Sequence, residues 1–280
     1  MIKKFKKGKT VPTSKLFQKV LFTTLFTLTL TSCNHTSKVG HSLMQNRFES
    51  PEAIGKRGKG QIHLNYSAKK TFTQFSFDRN EDTNTIDVHK KSSLENNNRH
   101  EWTGTLAIGA FENLDLSLNQ NHDQIPYTIG LKYQFYGSPR LKKENGLKMS
   151  LKFEYGSKKL HEEEKGQYSL FFSDSYNLEK STNLDVYGVS FNLGRRVNSK
   201  TLFYFNNILT QYNADSTLKI KEGVHKVKTT TQTYNGLLGV ERNLNKKVSL
   251  TLEGGVSYSN GGGEDHMVTY PVGTSLKIHF

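Results

Sequence analysis

The last fourteen residues, "MVTYPVGTSLKIHF" (267–280), alternate strictly: Val268, Tyr270, Val272, Leu276, Ile278 and Phe280 are apolar, and Thr274 is the single gap. Between them stand Thr269, Pro271, Gly273, Ser275, Lys277 and His279. A period of two is the signature of a strand with two unlike faces. Chain ends ordinarily fray, so a specified strand closing on a bulky aromatic calls for something to pair with and something apolar to face.

Working back from that end, the same alternation recurs. It appears in "KVSLTLEGGVSYSN", "TYNGLLGVE", "KTLFYFNNILTQYN", "VYGVSFNLG", "GLKMSLKFEYG", "PYTIGLKYQFYG", "NLDLSLN", "EWTGTLAIGA" and "GQIHLNYSA". Ten strands are expected, at about 60–68, 102–110, 113–119, 126–136, 146–156, 183–194, 200–212, 230–241, 247–259 and 267–280. Most are longer than the five or six residues usual in globular sheets, and they suit the roughly 9–11 tilted residues that cross a bilayer. Short turns at 111–113, 195–200 and 242–247 alternate with long polar connections at 79–101, 157–181 and 213–229. Aromatic residues gather near strand ends (Tyr133, Phe135, Tyr155, Tyr258, Phe280), where interfacial girdles form. The fold class is all-β: an antiparallel up-and-down transmembrane β-barrel of ten strands, or of twelve if "TFTQFSFD" (71–78) and "GQYSLFFSDSY" (166–176) pair as separate strands rather than extend existing ones. A soluble β-domain with the same alternation would bury the apolar face of Leu147, Leu151, Phe153, Leu250, Leu252 and Val256 against a second layer.

The terminal strand resembles the C-terminal assembly signal of bacterial outer-membrane β-barrel proteins, through Val272, Leu276, Ile278 and Phe280. The resemblance covers residues 60–280. It implies recognition by the barrel-assembly machinery, pairing of the last strand with the first, and outer-membrane localisation with lipid and lipopolysaccharide as surroundings. Closure is also a physical requirement, because an open sheet edge in hydrocarbon leaves backbone groups without partners.

The start of the chain has a different character. Seven lysines and no acids lie in residues 1–32, so about half of the net charge of +14 belongs to that segment. A basic leader, the apolar run "VLFTTLFTLTL" and "LTSC" follow one another, the order of a secretory signal. Leu30-Thr31-Ser32-Cys33 resembles the lipobox of bacterial lipoproteins, which implies acylation of Cys33, the one cysteine in the chain. The expected organisation is a signal peptide at 1–32, a flexible periplasmic tether at 33–59, and the barrel at 60–280. An even strand count returns the C-terminus to the side on which that tether begins. The remaining charge is dispersed, with no arginine-rich helix or zinc-knuckle spacing, so nucleic acid is not an expected partner.

Chemistry-bearing clusters are sparse. Ten strands are also found in the omptin proteases, but His122-Asp123 and Glu264-Asp265-His266 lack that family's carboxylate and histidine spacing. No catalytic set, metal site or cofactor is expected. Asp115, Lys132, Lys148, Lys152, Glu154, Glu253 and Lys277 fall on the face opposite the apolar one and are expected to point into the lumen, satisfying one another across neighbouring strands. Lys219, Lys221, Lys226 and Lys228 make the predicted outer connections basic, suited to lipopolysaccharide phosphates. The reading is a non-enzymatic outer-membrane barrel with a structural, surface-interaction or narrow-pore role, lipid-anchored at its N-terminus. The alternatives are a soluble β-lipoprotein binding an apolar ligand or partner, and an outer-membrane hydrolase of omptin-like architecture.

Overall fold

A computed structural model describes residues 37–44, 46–80, 85–95, 100–120, 125–169, 172–220, 223–261 and 266–280. In chain order the strands are β1 (Ser37–Met44), β2 (Gly60–Asn80), β3 (Thr85–Glu95), β4 (His100–Phe111), β5 (Leu114–Gln120), β6 (Thr128–Tyr136), β7 (Gly146–Ser169), β8 (Phe172–Asn198), β9 (Thr201–Ile220), β10 (Gly223–Asn243), β11 (Val248–Asn260), β12 (His266–Thr269) and β13 (Val272–His279). One 3-10 turn, η1 (Arg140–Lys142), lies between β6 and β7.

Ten of these strands form a ring. β4 to β11 pair with their neighbours in sequence, β11 pairs β13, β13 pairs the lower half of β2, and β2 pairs β4. The terminal strand closes the cylinder, with Leu276 opposite Leu64 and Leu250 and Ile278 opposite Ile62 and Val248. Gly60 and Phe280 exchange both backbone hydrogen bonds at 3.0 Å. Pro271 has no N–H to give a ladder, and the last strand is interrupted there, between β12 and β13.

The apolar half of each alternation faces outward. Leu147, Phe153, Leu250, Leu252 and Val256 are exposed on the outer wall, Leu252 by 54%. The alternative of two packed layers is therefore set aside. Along β8 the outer face runs Tyr187, Val189, Phe191, Leu193 and then Arg195. At about 3.3 Å per residue and a tilt near 40°, that band is roughly 20 Å tall. An aromatic belt rims it at the far end, where Tyr66 and Trp102 (centroids 4.9 Å apart), Tyr155 and Tyr187 (5.2 Å), and Tyr234 and Tyr258 (6.2 Å) are neighbours. Beyond the belt the outer row turns polar: Ser157, Asp185, Asn213 and Thr230 stand side by side across β7–β10. The near end carries the short turns at 112–113, 199–200 and 244–247.

Three sequence expectations need correction. The connections at 157–181 and 213–229 are largely strand, because β7 to β10 run on past the belt as paired ribbons. Residues 71–78 and 166–176 extend β2, β7 and β8, in keeping with the expected count of ten ring strands. The stretch 79–101 contains β3, which pairs the upper half of β2. Finally, the described residues of 33–59, expected as a flexible tether, include a strand and a buried segment. β1 pairs the far half of β2, from Ser37 opposite Phe77 to Met44 opposite Lys69, and residues 46–54 are buried inside the ring. Strand count does bring residue 60 to the end where the chain finishes, but Ser37 lies at the other end. The upper half of β2, flanked by β1 and β3, docks on the opposite wall. Leu43 and Phe72 pack with Leu184, Val186, Tyr212 and Ala214, and Gln74 bonds Ser216 and Thr229.

Candidate functional site

The inner face of the ring and the strap that threads it, "NRFESPEAI" (46–54), form the one extended constellation of charged groups among the described residues. Asp115, Lys132, Lys148, Lys152, Glu154, Glu253 and Lys277 are all buried there. Two pairs among them are in contact: Lys132 and Asp115, opposite each other on β6 and β5, approach to 3.0 Å, and Lys152 and Glu154, two residues apart on β7, to 2.5 Å. Much of the charge, however, is answered by the strap rather than by the next strand.

At its upper end the strap meets Glu253. One carboxylate oxygen accepts from the Arg47 and Phe48 backbone N–H groups at 3.1 and 3.2 Å and from Asn46 Nδ2 at 3.3 Å. The other accepts from Tyr204 Oη and Asn206 Nδ2, both at 3.1 Å. The Arg47 guanidinium pairs with Glu154 and donates to Thr210 Oγ1 at 3.1 Å. Phe48 takes φ +52°, a left-handed conformation that costs a bulky residue about 1–2 kcal/mol. Its ring sits on bare backbone at Gly273, where an added Cβ would lie 2.5 Å from Phe48 Cζ.

Lower down, Glu49 accepts from Lys152 Nζ at 2.6 Å and Ser190 Oγ at 3.0 Å. Pro51 packs over Gly194, again a position where a Cβ would collide, at 2.7 Å. Glu52 then takes Arg196 in a bidentate pair, 2.7 Å from Nε and 2.5 Å from Nη2. The Glu52 carbonyl accepts from Lys132 Nζ at 2.8 Å, Ala53 N–H donates to Gln134 Oε1 at 2.6 Å, and Ile54 N–H donates to Asp115 at 3.0 Å. The wall reads the strap's backbone as well as its side chains. This is why an irregular segment can sit there: its polar groups are satisfied by protein.

Near the bottom, Glu241 gathers Arg140, Lys277 (2.7 Å) and, at 3.9 Å, Arg196. Arg140 also donates to Asn243 Oδ1 at 2.8 Å and Ser249 Oγ at 2.7 Å and meets His279 Nε2 at 2.9 Å. Lys148 donates to the Ser138 carbonyl at 2.7 Å. A cavity of about 30 Å³, lined in part by Arg47, Glu49, His63, Asp115 and Lys132, remains beside the strap. That is room for about two or three water molecules.

The closed ring, with hydrocarbon side chains outside and paired charges inside, decides the class. It is an antiparallel β-barrel of the transmembrane type.

Comparison with solved structures finds remote likenesses. The chain is similar to Ail, the attachment invasion locus protein of Yersinia pestis, at 12% identity over 80% of this chain and 100% of that one, with a TM-score of 0.31. It is similar to the outer-membrane protease OmpT of Escherichia coli at 6% identity over 82% and 100% of the two chains, with a TM-score of 0.41. No family model matches the sequence, and neither does any curated protein.

The other expected positions are distributed as follows. Val272, Leu276, Ile278 and Phe280 face outward on β13 and just past its end, and the Phe280 ring covers Gly60. Of the outer lysines, Lys219 pairs with Glu179 at 2.9 Å and Lys228 with Asp215 at 3.1 Å, so part of the basic field is neutralised. Accordingly Lys219 holds the Glu179 carboxyl below its usual range. His266 lies beside Tyr258, with ring centroids 6.3 Å apart. Cys33, His122, Asp123, Lys221, Glu264 and Asp265 lie outside the described residues. The partners missed by sequence reading are Arg47, Glu49, Glu52, Arg140, Arg196 and Glu241. Of these, Glu49 and Glu52 flank Pro51 in a stretch with no strand periodicity.

Proposed function

We propose that this barrel is a non-catalytic surface protein with a sealed lumen, whose working face is the polar sheet standing beyond the aromatic belt. The observation that carries the reading is the strap, held to the wall by side-chain ion pairs and by its own backbone from Asn46 to Ile54. A narrow pore is the weaker reading, since the strap fills the middle of the lumen and the cavity beside it has room for only a few waters. Short turns would face the periplasm, as is general for such barrels, and the long ribbons of β7–β10 would face out. Lipopolysaccharide is the proposed neighbour of the ribbons, met by lysines such as Lys226 that project from β10. The barrel-assembly machinery is the proposed reader of the terminal strand. Acylation at Cys33 is proposed as the chain's second hold on the membrane, since a single chain binds weakly and a spanning barrel firmly.

Single-channel recording of the purified chain in planar bilayers tests the sealed lumen. Insertion without conductance steps is expected, and steady ohmic steps from the unaltered protein would overturn it. Assay of the same sample against peptide and phospholipid ester substrates should give no turnover above a heat-denatured control, and turnover abolished by changing His266 or a neighbouring acid would restore the hydrolase alternative.

A further inference from the structure

Descent of the strap is monotonic. Taking its residues in order, Arg47 meets Glu154, Glu49 meets Lys152 and Ser190, Pro51 covers Gly194, Glu52 takes Arg196, and Gly58 and Lys59 exchange backbone hydrogen bonds with Gly109. On β7 the partners step from 154 to 152, and on β8 from 190 through 194 to 196. Both series run from the aromatic belt towards the short turns. At the top, β1 continues away from the membrane band along β2, from Met44 beside Lys69 to Ser37 beside Phe77. The residue that starts the described chain and the residue that ends it therefore lie at opposite ends of the cylinder.

We propose that the barrel carries its own N-terminal segment through the lumen, so that the chain ahead of Ser37 is displayed on the outer face of the cell and not in the periplasm. This rests on the orientation proposed above. It also alters what an N-terminal attachment can do. A lipid or partner joined ahead of Ser37 would act at the outer leaflet, where a periplasmic tether could not reach. A strap laid in from the side has to be in place before β13 pairs with β2, because that pairing closes the wall. Threading and closure are then one event.

The test uses the unaltered protein in intact cells, with a membrane-impermeant amine-reactive biotin read out by peptide mass spectrometry. Lys228 is 83% exposed on the far ribbon, and Lys142 is 54% exposed at the near end. We expect Lys38 to be labelled together with Lys228, while Lys142 and Lys246 react only after the outer membrane is opened. Lys38 reacting only alongside Lys142, with Lys228 labelled from outside, would overturn the threading and leave the orientation standing. Lys142 and Lys246 labelled in intact cells, with Lys228 protected, would overturn the orientation and with it the surface display. An epitope inserted between Thr36 and Ser37 gives a second reading that does not depend on lysine reactivity. Antibody staining of intact cells supports the proposal, and staining only after permeabilisation overturns it.

Discussion

The lumen has two storeys held by different forces. Below the aromatic belt the strap is locked by charge: Arg47, Glu49 and Glu52 each find an oppositely charged wall residue, in space from which water is almost excluded. Above it, β1 and the upper half of β2 are held by a small apolar cluster around Leu43, Phe72 and Tyr212. Burial of apolar groups is non-directional and tolerates exchange of one hydrocarbon for another. A buried charge tolerates only its partner, because removing one member leaves the other desolvated and unpaired. The lower storey is thus specific and brittle, and the upper one is adaptable.

The most drastic way to break the contrast is to replace residues 46–54 by Gly and Ser at equal length. The wall would then keep Lys132, Arg140, Lys148, Lys152, Arg196 and Lys277 against Asp115, Glu154, Glu241 and Glu253. Planar-bilayer recording should show a change from silent insertion to open steps, with reversal potentials favouring anions. Steps without anion preference would mean that these cations do not line the freed path.

Next in size is the Glu52–Arg196 pair. Glu52→Leu should lower stability by about 3–5 kcal/mol in urea titrations of the refolded barrel, whereas Glu52→Leu combined with Arg196→Met should recover most of it. Additive losses would show that the two side chains do not act as a unit. In the upper storey, Phe72→Ala should cost about 3 kcal/mol locally. Hydrogen exchange should then speed up in β1 and β3 and stay unchanged in the ring strands. Accelerated exchange throughout the ring would erase the distinction between the storeys.

The smallest effect concerns Lys70, buried in the upper storey with its ammonium 3.0 Å from the Ser259 hydroxyl. Burial pushes this lysine down to about 8. Its folded value lies below its unfolded one, so between about pH 8 and 10 the unfolded chain binds more protons. Stability of the docked segment therefore rises with pH across that window. Lys70→Met should abolish the rise, seen as exchange protection of β1 that no longer changes with pH after correction for intrinsic rates.

The ring was legible because lipid demands it. Every residue from Tyr187 to Leu193 obeys the period of two, since each alternate side chain meets hydrocarbon and the others do not. Past Tyr187 and Gln211 that demand ends, the outer face turns polar although the inner one still carries Val186, Leu184, Tyr212 and Ala214, and strands such as 157–169 look like loops in the sequence. The strap was hidden for another reason. "NRFESPEAI" has no period, contains a proline and takes a left-handed turn at Phe48, so its position is dictated by partners up to 207 residues away. Arg196, within a stretch expected to be a turn, is where the excess of wall cations should have drawn notice.

Hydrogen exchange of the unaltered barrel in lipid tests the central claim most directly. If residues 46–54 fill the lumen, the amides of Arg47, Phe48, Ala53 and Ile54, which bond to Glu253, Gln134 and Asp115, will be protected as long as those of β8. Exchange of those four amides at the rate of a free peptide would contradict the account.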